Sequence, residues 1–260
     1  MVDTAVSTRE LVDYWDGRST SYYKNITGEL SDERRSSWER VFDALLAETL
    51  DGCQFRALDL GCGPGFFSVI FAARGYDVTA VDMSAAMIER ARQSLQAAAL
   101  AHKVEFHQGD FTSLPFPDNT FDLAVARNVT WLMREPEGAY AEWLRVLAPG
   151  GKLIVFDANW YLYLFDSDVD VARGACQDGK VLEGWDPAAQ ATSDEEKRCE
   201  EMARKLPLSP VIRPAWDLDV LSRLGASRVR ADEDVWRDVW TKSEQTYYAY
   251  APLFLVEAVK

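Results

Sequence analysis

Histidine is almost missing from this chain, with two in 260 residues, His102 and His107. Cysteine is scarce as well, and the four present (Cys53, Cys62, Cys176, Cys199) nowhere form a C-x-x-C pair. Zinc sites draw on clustered Cys and His, so no metal site is expected and the thiols are expected to be reduced. Basic residues are outnumbered, 28 Lys and Arg against 42 Asp and Glu, for a formal charge of −14. A nucleic-acid binder neutralises phosphates with a basic footprint, which this balance opposes. No apolar run reaches the ~18–20 residues that cross a bilayer. The opening MVDTAVSTRELVDYW lacks the basic flank and apolar stretch of a signal peptide. These absences lead to an expectation of a cytoplasmic protein with neither nucleic acid nor membrane as partner. Whether it is a monomer or a homodimer stays open.

What is present suits one large domain: 48% hydrophobic residues, 12% of the chain aromatic. Residues 8–30 are an aromatic lead-in expected to form one or two short helices. Trp38, Val41, Phe42, Leu45, Leu46 and Leu50 then repeat at helical spacing after Ser31, ending at Asp51-Gly52. Beyond this, strands and helices alternate. The expected strands are Arg56–Leu60, Val78–Asp82, Val104–His107, Phe121–Ala126 and Lys152–Phe156, with closing strands near 227–232 and 252–259. Such alternation implies an α/β fold, a doubly wound, mostly parallel seven-stranded sheet. Residues 158–214 break the rhythm, open on Asn159-Trp160-Tyr161-Leu162-Tyr163, and are expected to be a helical cap inserted after the fifth strand. The division expected is a lid and packing helix over 1–50, a ligand-binding core over 51–157, the cap over 158–214, and a final helix with closing strands over 215–260.

The chain is organised around Ala57-Leu58-Asp59-Leu60-Gly61-Cys62-Gly63-Pro64-Gly65. An apolar run ends in three alternate glycines and a helical pattern follows at once, which is a strand, a tight turn and a helix N-terminus. Glycine accepts backbone angles closed to other residues and lets a ligand approach the main chain. The dinucleotide fingerprint is G-x-G-x-x-G. Here the spacing is G-x-G-x-G, with Asp59 two positions before the first glycine.

This nonapeptide resembles motif I of the class I, Rossmann-like S-adenosylmethionine-dependent methyltransferases of small-molecule type, and the resemblance runs over about 55–157. It implies S-adenosylmethionine as cofactor and a small molecule as methyl acceptor. It places Asp82 on the ribose hydroxyls and Asp110-Phe111 at the adenine. Arg145-Val146-Leu147-Ala148-Pro149-Gly150-Gly151 resembles the turn into the fifth strand. The cofactor set expected on this basis is Trp15, Tyr23, Asp59, Gly61, Cys62, Gly63, Gly65, Asp82, Met83, Met87, Gly109, Asp110, Phe111 and Arg127. The tyrosine-bearing lead-in resembles a segment that folds over the cofactor in such enzymes, and Gly17-Arg18-Ser19-Thr20-Ser21 is expected to be its flexible joint. Two alternatives remain: an NAD-dependent oxidoreductase, and a non-catalytic S-adenosylmethionine-binding module.

Methyl transfer needs an acceptor lone pair aligned with an activated methyl and water kept away, so positioning can supply much of the effect. A base is required only where the acceptor still holds its proton at attack. After the fourth strand the chain reads Arg127-Asn128-Val129-Thr130-Trp131-Leu132 where many small-molecule relatives carry histidine. No catalytic residue is therefore assigned. Asn128, Trp131, Asn159, Trp160, Tyr161 and Tyr163 are the expected acceptor wall.

Overall fold

The computed structural model describes residues 5–47, 55–178 and 190–260. The expected helix stop at Asp51-Gly52, Cys53 and the middle of the cap lie outside the described residues. Helix α1 (Thr8–Glu29) opens on a reciprocal cap: the Ser7 side chain accepts from the Glu10 N–H, and Glu10 accepts from the Ser7 N–H. It runs unbroken for 22 residues. The joint expected at Gly17–Ser21 is instead helix, with Ser19 and Ser21 hydroxyls donating to carbonyls three residues back. α2 (Asp32–Leu46) follows.

The core alternates β1 (Arg56–Leu60), α3 (Phe66–Ala73), β2 (Asp77–Asp82), α4 (Ala85–Ala97), β3 (Val104–Gln108), β4 (Phe121–Arg127), α5 (Pro136–Val146) and β5 (Leu147–Asp157). Strand order is β3-β2-β1-β4-β5-β7-β6. β1 to β5 pair in parallel, while β7 (Phe254–Val259) lies antiparallel between β5 and β6 (Ser227–Asp232). β1 is flanked by β2 on one side and β4 on the other. Strand order reverses there, which opens a crevice beyond the carboxyl ends of the strands.

Strand residues alternate between two buried layers, as a period of two requires. One layer sets Trp38 and Phe42 of α2 against Phe66, Phe67 and Phe71 of α3 and Phe156 of β5. Fully burying a side chain of this kind contributes about 1.5–3 kcal/mol. The other joins Tyr140 and Trp143 of α5 to Val220 and Leu221 of α8 (Ala215–Arg223). The cap contributes α6 (Ser167–Gln177) and α7 (Ser193–Ala203). Cys199, Met202 and Ala203 of α7 belong to this second layer, so its buried face is continuous with the sheet's.

Two short helices, α9 (Trp236–Val239) and α10 (Lys242–Tyr247), stand between β6 and β7, where only closing strands were expected. α10 carries its own reciprocal cap, Thr241 with Glu244. Among the described residues no helix is long and apolar enough to cross a membrane.

Candidate active site

The turn after β1 passes through Gly61, Gly63 and Gly65 at φ of +62°, +50° and +85°. A Cβ on Gly61 would lie 2.6 Å from the Val129 side chain, and one on Gly65 would lie 3.0 Å from Ala91. The first glycine thus admits the segment after β4, and the last lets α4 cross α3. Gly63 faces solvent-side space shared with Tyr22, whose ring is 3.7 Å from the Cβ position.

Asp82 ends β2 and holds this turn. Its carboxylate accepts from the Gly63 N–H and from the Ser84 N–H, each at 2.8 Å. Burial pushes its carboxyl up to about 6, against the pull of those two N–H groups. Ser84 in turn caps α4 by accepting from the Met87 N–H at 3.0 Å, and its hydroxyl donates to Asp16 of α1. Deeper in, Asp59 accepts from the Ser68 hydroxyl at 2.6 Å, and burial pushes its carboxyl up to about 7.

A cleft of about 480 Å³, counting its open mouth, lies over this turn. Gly61, Gly63 and Asp82 form its floor, Met83, Met87, Phe111 and Leu132 its apolar wall. α1 covers it with Leu11, Val12, Trp15 and Tyr22, and Arg127, Asn128 and Val129 close the far end. Arg127 stacks over Trp38 at 4.7 Å and Phe66 at 4.5 Å and is ion-paired with Glu29.

A second, wider cleft continues past Arg127 and Asn128. Trp131, Trp160 and Tyr161 line it, opposite Trp240, Tyr247 and Tyr248. Tyr163 lies further along, beside Tyr250 and beneath the Arg173 guanidinium at 4.1 Å. Arg18 of α1 reaches across to Glu195 of the cap at 3.3 Å.

The structure therefore brings Trp15, Gly61, Gly63, Asp82, Met83, Met87, Phe111 and Arg127 to one cleft, with Asn128 shared between the two. Several expected residues stand elsewhere. Tyr23 points to α4, where the Arg90 guanidinium sits 5.6 Å from its ring; Tyr22 takes the cleft position. The reason is helical register, since Leu11, Trp15 and Tyr22 share a face once α1 is continuous. Cys62 is buried against Ala80 and Ala91, and burial raises its thiol pKa. Asp59 and Gly65 support the turn from behind. Gly109 donates to the Asp82 carbonyl at 2.9 Å. Asp110 accepts from the Thr112 N–H and hydroxyl, at 2.8 and 2.6 Å, which draws its carboxylate into the loop. Asn159 is a clamp on the backbone of Arg213, donating at 2.9 Å and accepting at 3.0 Å. Trp240, Tyr247 and Tyr248 carried no sequence signal, because their short helices follow a strand with no motif.

A Rossmann-like sheet with a glycine turn, an acid at the end of β2 and a cleft at the switch point defines a class of protein. Residues 58–155 match the family described as a methyltransferase domain, so this segment of the chain carries that domain. Among relatives, methyltransferase GfsG of Streptomyces halstedii is 26% identical over 257 residues, covering 92% of both chains. Demethylmenaquinone methyltransferase of Renibacterium salmoninarum is 39% identical over 100 residues, 38% of this chain and 40% of that one. Sterol 24-C-methyltransferase ERG6B of Gibberella zeae is 36% identical over 115 residues, 44% of this chain and 30% of that one. The matched segment thus spans well under half the length of the quinone and sterol enzymes. Among solved structures, the [4+2]-cyclase SpnF aligns with a TM-score of 0.59 at 21% identity over 98% of this chain and 97% of that one. Phosphoethanolamine N-methyltransferase 2 of Haemonchus contortus, solved with S-adenosyl-L-methionine, aligns at 0.56 and 16% identity over 86% and 52%.

Proposed function

We propose that the chain transfers a methyl group from S-adenosylmethionine to a small-molecule acceptor held in the wider aromatic cleft. The observation that carries this reading is the pair of joined clefts. One is floored by the glycine turn and Asp82; the other is walled by Trp131, Trp160, Tyr161, Trp240, Tyr247 and Tyr248. The residues fit the cofactor. Asp82 has one oxygen on Gly63 and one on Ser84, leaving further lone pairs of each free for hydroxyls. Met83, Met87 and Phe111 offer apolar surface to a flat ring system. Trp15 and Tyr22 cover the site and exclude water. Bound there, the cofactor supplies a methyl already activated by a sulfonium charge.

The aromatic wall suits a flat or largely apolar acceptor. A net charge of −14 weighs against nucleic acid as the acceptor. The spacing of the glycine turn and the relatives leave the oxidoreductase alternative without support. A second reading, bond formation on this fold with no methyl transfer, is favoured by one observation: the cyclase that aligns over 98% of the chain. Calorimetry with S-adenosylhomocysteine, then a metabolite screen for its formation from S-adenosylmethionine, tests both. Binding with turnover is the expected result. Absence of binding overturns the methyltransferase reading, and binding without turnover on any acceptor leaves the second reading or a non-catalytic S-adenosylmethionine-binding module.

A further inference from the structure

Asn128 stands where the two clefts meet and lines both. Its backbone is left-handed, φ +56°. Its N–H donates to the Phe156 carbonyl at 2.8 Å, and its own carbonyl accepts from Trp131 Nε1 at 3.1 Å. The main chain is thereby fixed on both sides, in a left-handed conformation that asparagine tolerates better than most residues with a side chain. Its side-chain Oδ1 is buried without a hydrogen-bond partner. Trp15 Nε1, Trp160 Nε1 and Arg127 Nε nearby also lack partners, but all three are donors. At the junction of the clefts, among the described residues, Asn128 Oδ1 is the unpartnered acceptor. A buried carbonyl oxygen left unpaired is costly, and a ligand donor would satisfy it.

We propose that Asn128 Oδ1 binds the nucleophilic group of the methyl acceptor by accepting a hydrogen bond from its O–H or N–H. The acceptor is therefore an alcohol, a phenol or an amine that carries this hydrogen. The inference rests on the methyltransferase reading and names the chemistry of its acceptor. One hydrogen directed to Asn128 leaves a lone pair of the same atom free to face the cofactor cleft. In the transfer that lone pair forms the bond to the methyl carbon, and the electrons of the methyl–sulfur bond stay on sulfur. The hydrogen leaves as a proton to water in the wider cleft. The carboxamide takes no proton; it orients the group. Carbon nucleophiles and tertiary amines have no hydrogen to offer it.

Ligand-observed NMR titrations of phenol, aniline and anisole on the full chain saturated with S-adenosylhomocysteine test this. Phenol or aniline is expected to bind about three- to tenfold more tightly than anisole, the worth of one neutral hydrogen bond. Whichever of the two gains more tells O–H from N–H. Asn128→Gly accepts the left-handed backbone and should bind all three probes alike. Asn128→Asp keeps an oxygen in place and should keep the preference for donors. S-adenosylhomocysteine affinity is measured in each variant first, because Asn128 also lines the cofactor cleft, and the probes are then compared at equal saturation. Four outcomes overturn the proposal: no donor preference in the unaltered chain, a preference that survives Asn128→Gly, a preference for anisole, or no probe bound while S-adenosylhomocysteine is. A chain that does not bind S-adenosylhomocysteine at all fails the methyltransferase reading first, and this inference falls with it.

Discussion

Asp59 and Asp82 are the two carboxylates closest to the glycine turn, and burial raises both, to about 7 and about 6 from an ordinary 3.8. A raised folded pKa means that the native state holds these protons more firmly than the unfolded chain does. Their contribution to stability is fully present below about pH 4 and is lost as pH rises toward 6 and 7. Asp59→Asn removes one of the two groups while keeping an oxygen for the Ser68 hydroxyl. Between pH 5 and 8 the unaltered chain should lose stability relative to this variant, read as a narrowing or reversal of the difference in urea midpoint. A difference that stays flat across that range would refute the assignment. Gly61 offers a second test, because its φ of +62° and the 2.6 Å approach of Val129 are separate penalties. Gly61→Ala should cost about 1–3 kcal/mol in denaturant unfolding. Adding Val129→Ala should restore the part due to the clash and leave the part due to the backbone.

At the scale of elements, α1 decides how the site is covered. Gly17 lies mid-helix, exposed, with nothing within 4 Å of a Cβ built on it. Gly17→Ala should therefore stabilise the chain by about 0.5–1 kcal/mol and leave turnover unchanged, if α1 works as a rigid bar. A hinge at Gly17 would instead show as lost turnover in a more stable protein. The five parallel strands were legible in the sequence as short apolar runs, four of them stopped by Gly or Asp, although β5 starts at Leu147, five residues before the expected Lys152. The continuity of α1 was not legible. Gly17, Ser19 and Thr20 weigh against helix locally, but Leu11, Tyr14 and Ile26 are buried along one helix, and that packing overrides local propensity. Tyr23 was expected where the structure lines the cleft with Tyr22, because helical phase cannot be carried across a supposed break. Asp110 could be placed at a strand end from sequence, yet the neighbouring Thr112 that captures its carboxylate is a local competitor no motif describes.

At the scale of the whole molecule, one buried network ties the cap to the sheet. Arg213, at the return of the cap, donates to Asp217 of α8 at 2.8 Å and to Thr130 at 2.6 Å, and it faces Asp157 at the end of β5 at 3.3 Å. Tyr140 of α5 donates to Asp217, and Thr130 to Asp157. Asp157 and Asp217 are fully buried. Arg213→Met would strand two carboxylates without their cation, at a cost of about 3–5 kcal/mol. Urea unfolding followed by both far-UV and tryptophan signals measures it. A loss under about 1 kcal/mol would mean that the network holds little.

The antiparallel seat of β7 between β5 and β6 also sets an order of events during synthesis. β5 emerges from the ribosome some hundred residues before its neighbour, with the run Leu153-Ile154-Val155-Phe156 on an edge that has no strand to pair with until residue 259 is made. β6 cannot join the sheet earlier, because its attachment is through β7. Until then the nascent chain presents a flat, apolar, unpaired border of the kind that recruits chaperones or other copies of itself. Ribosome-bound chains halted with residue 250 outside the exit tunnel should be degraded quickly by added protease, and those halted with residue 260 outside should resist it.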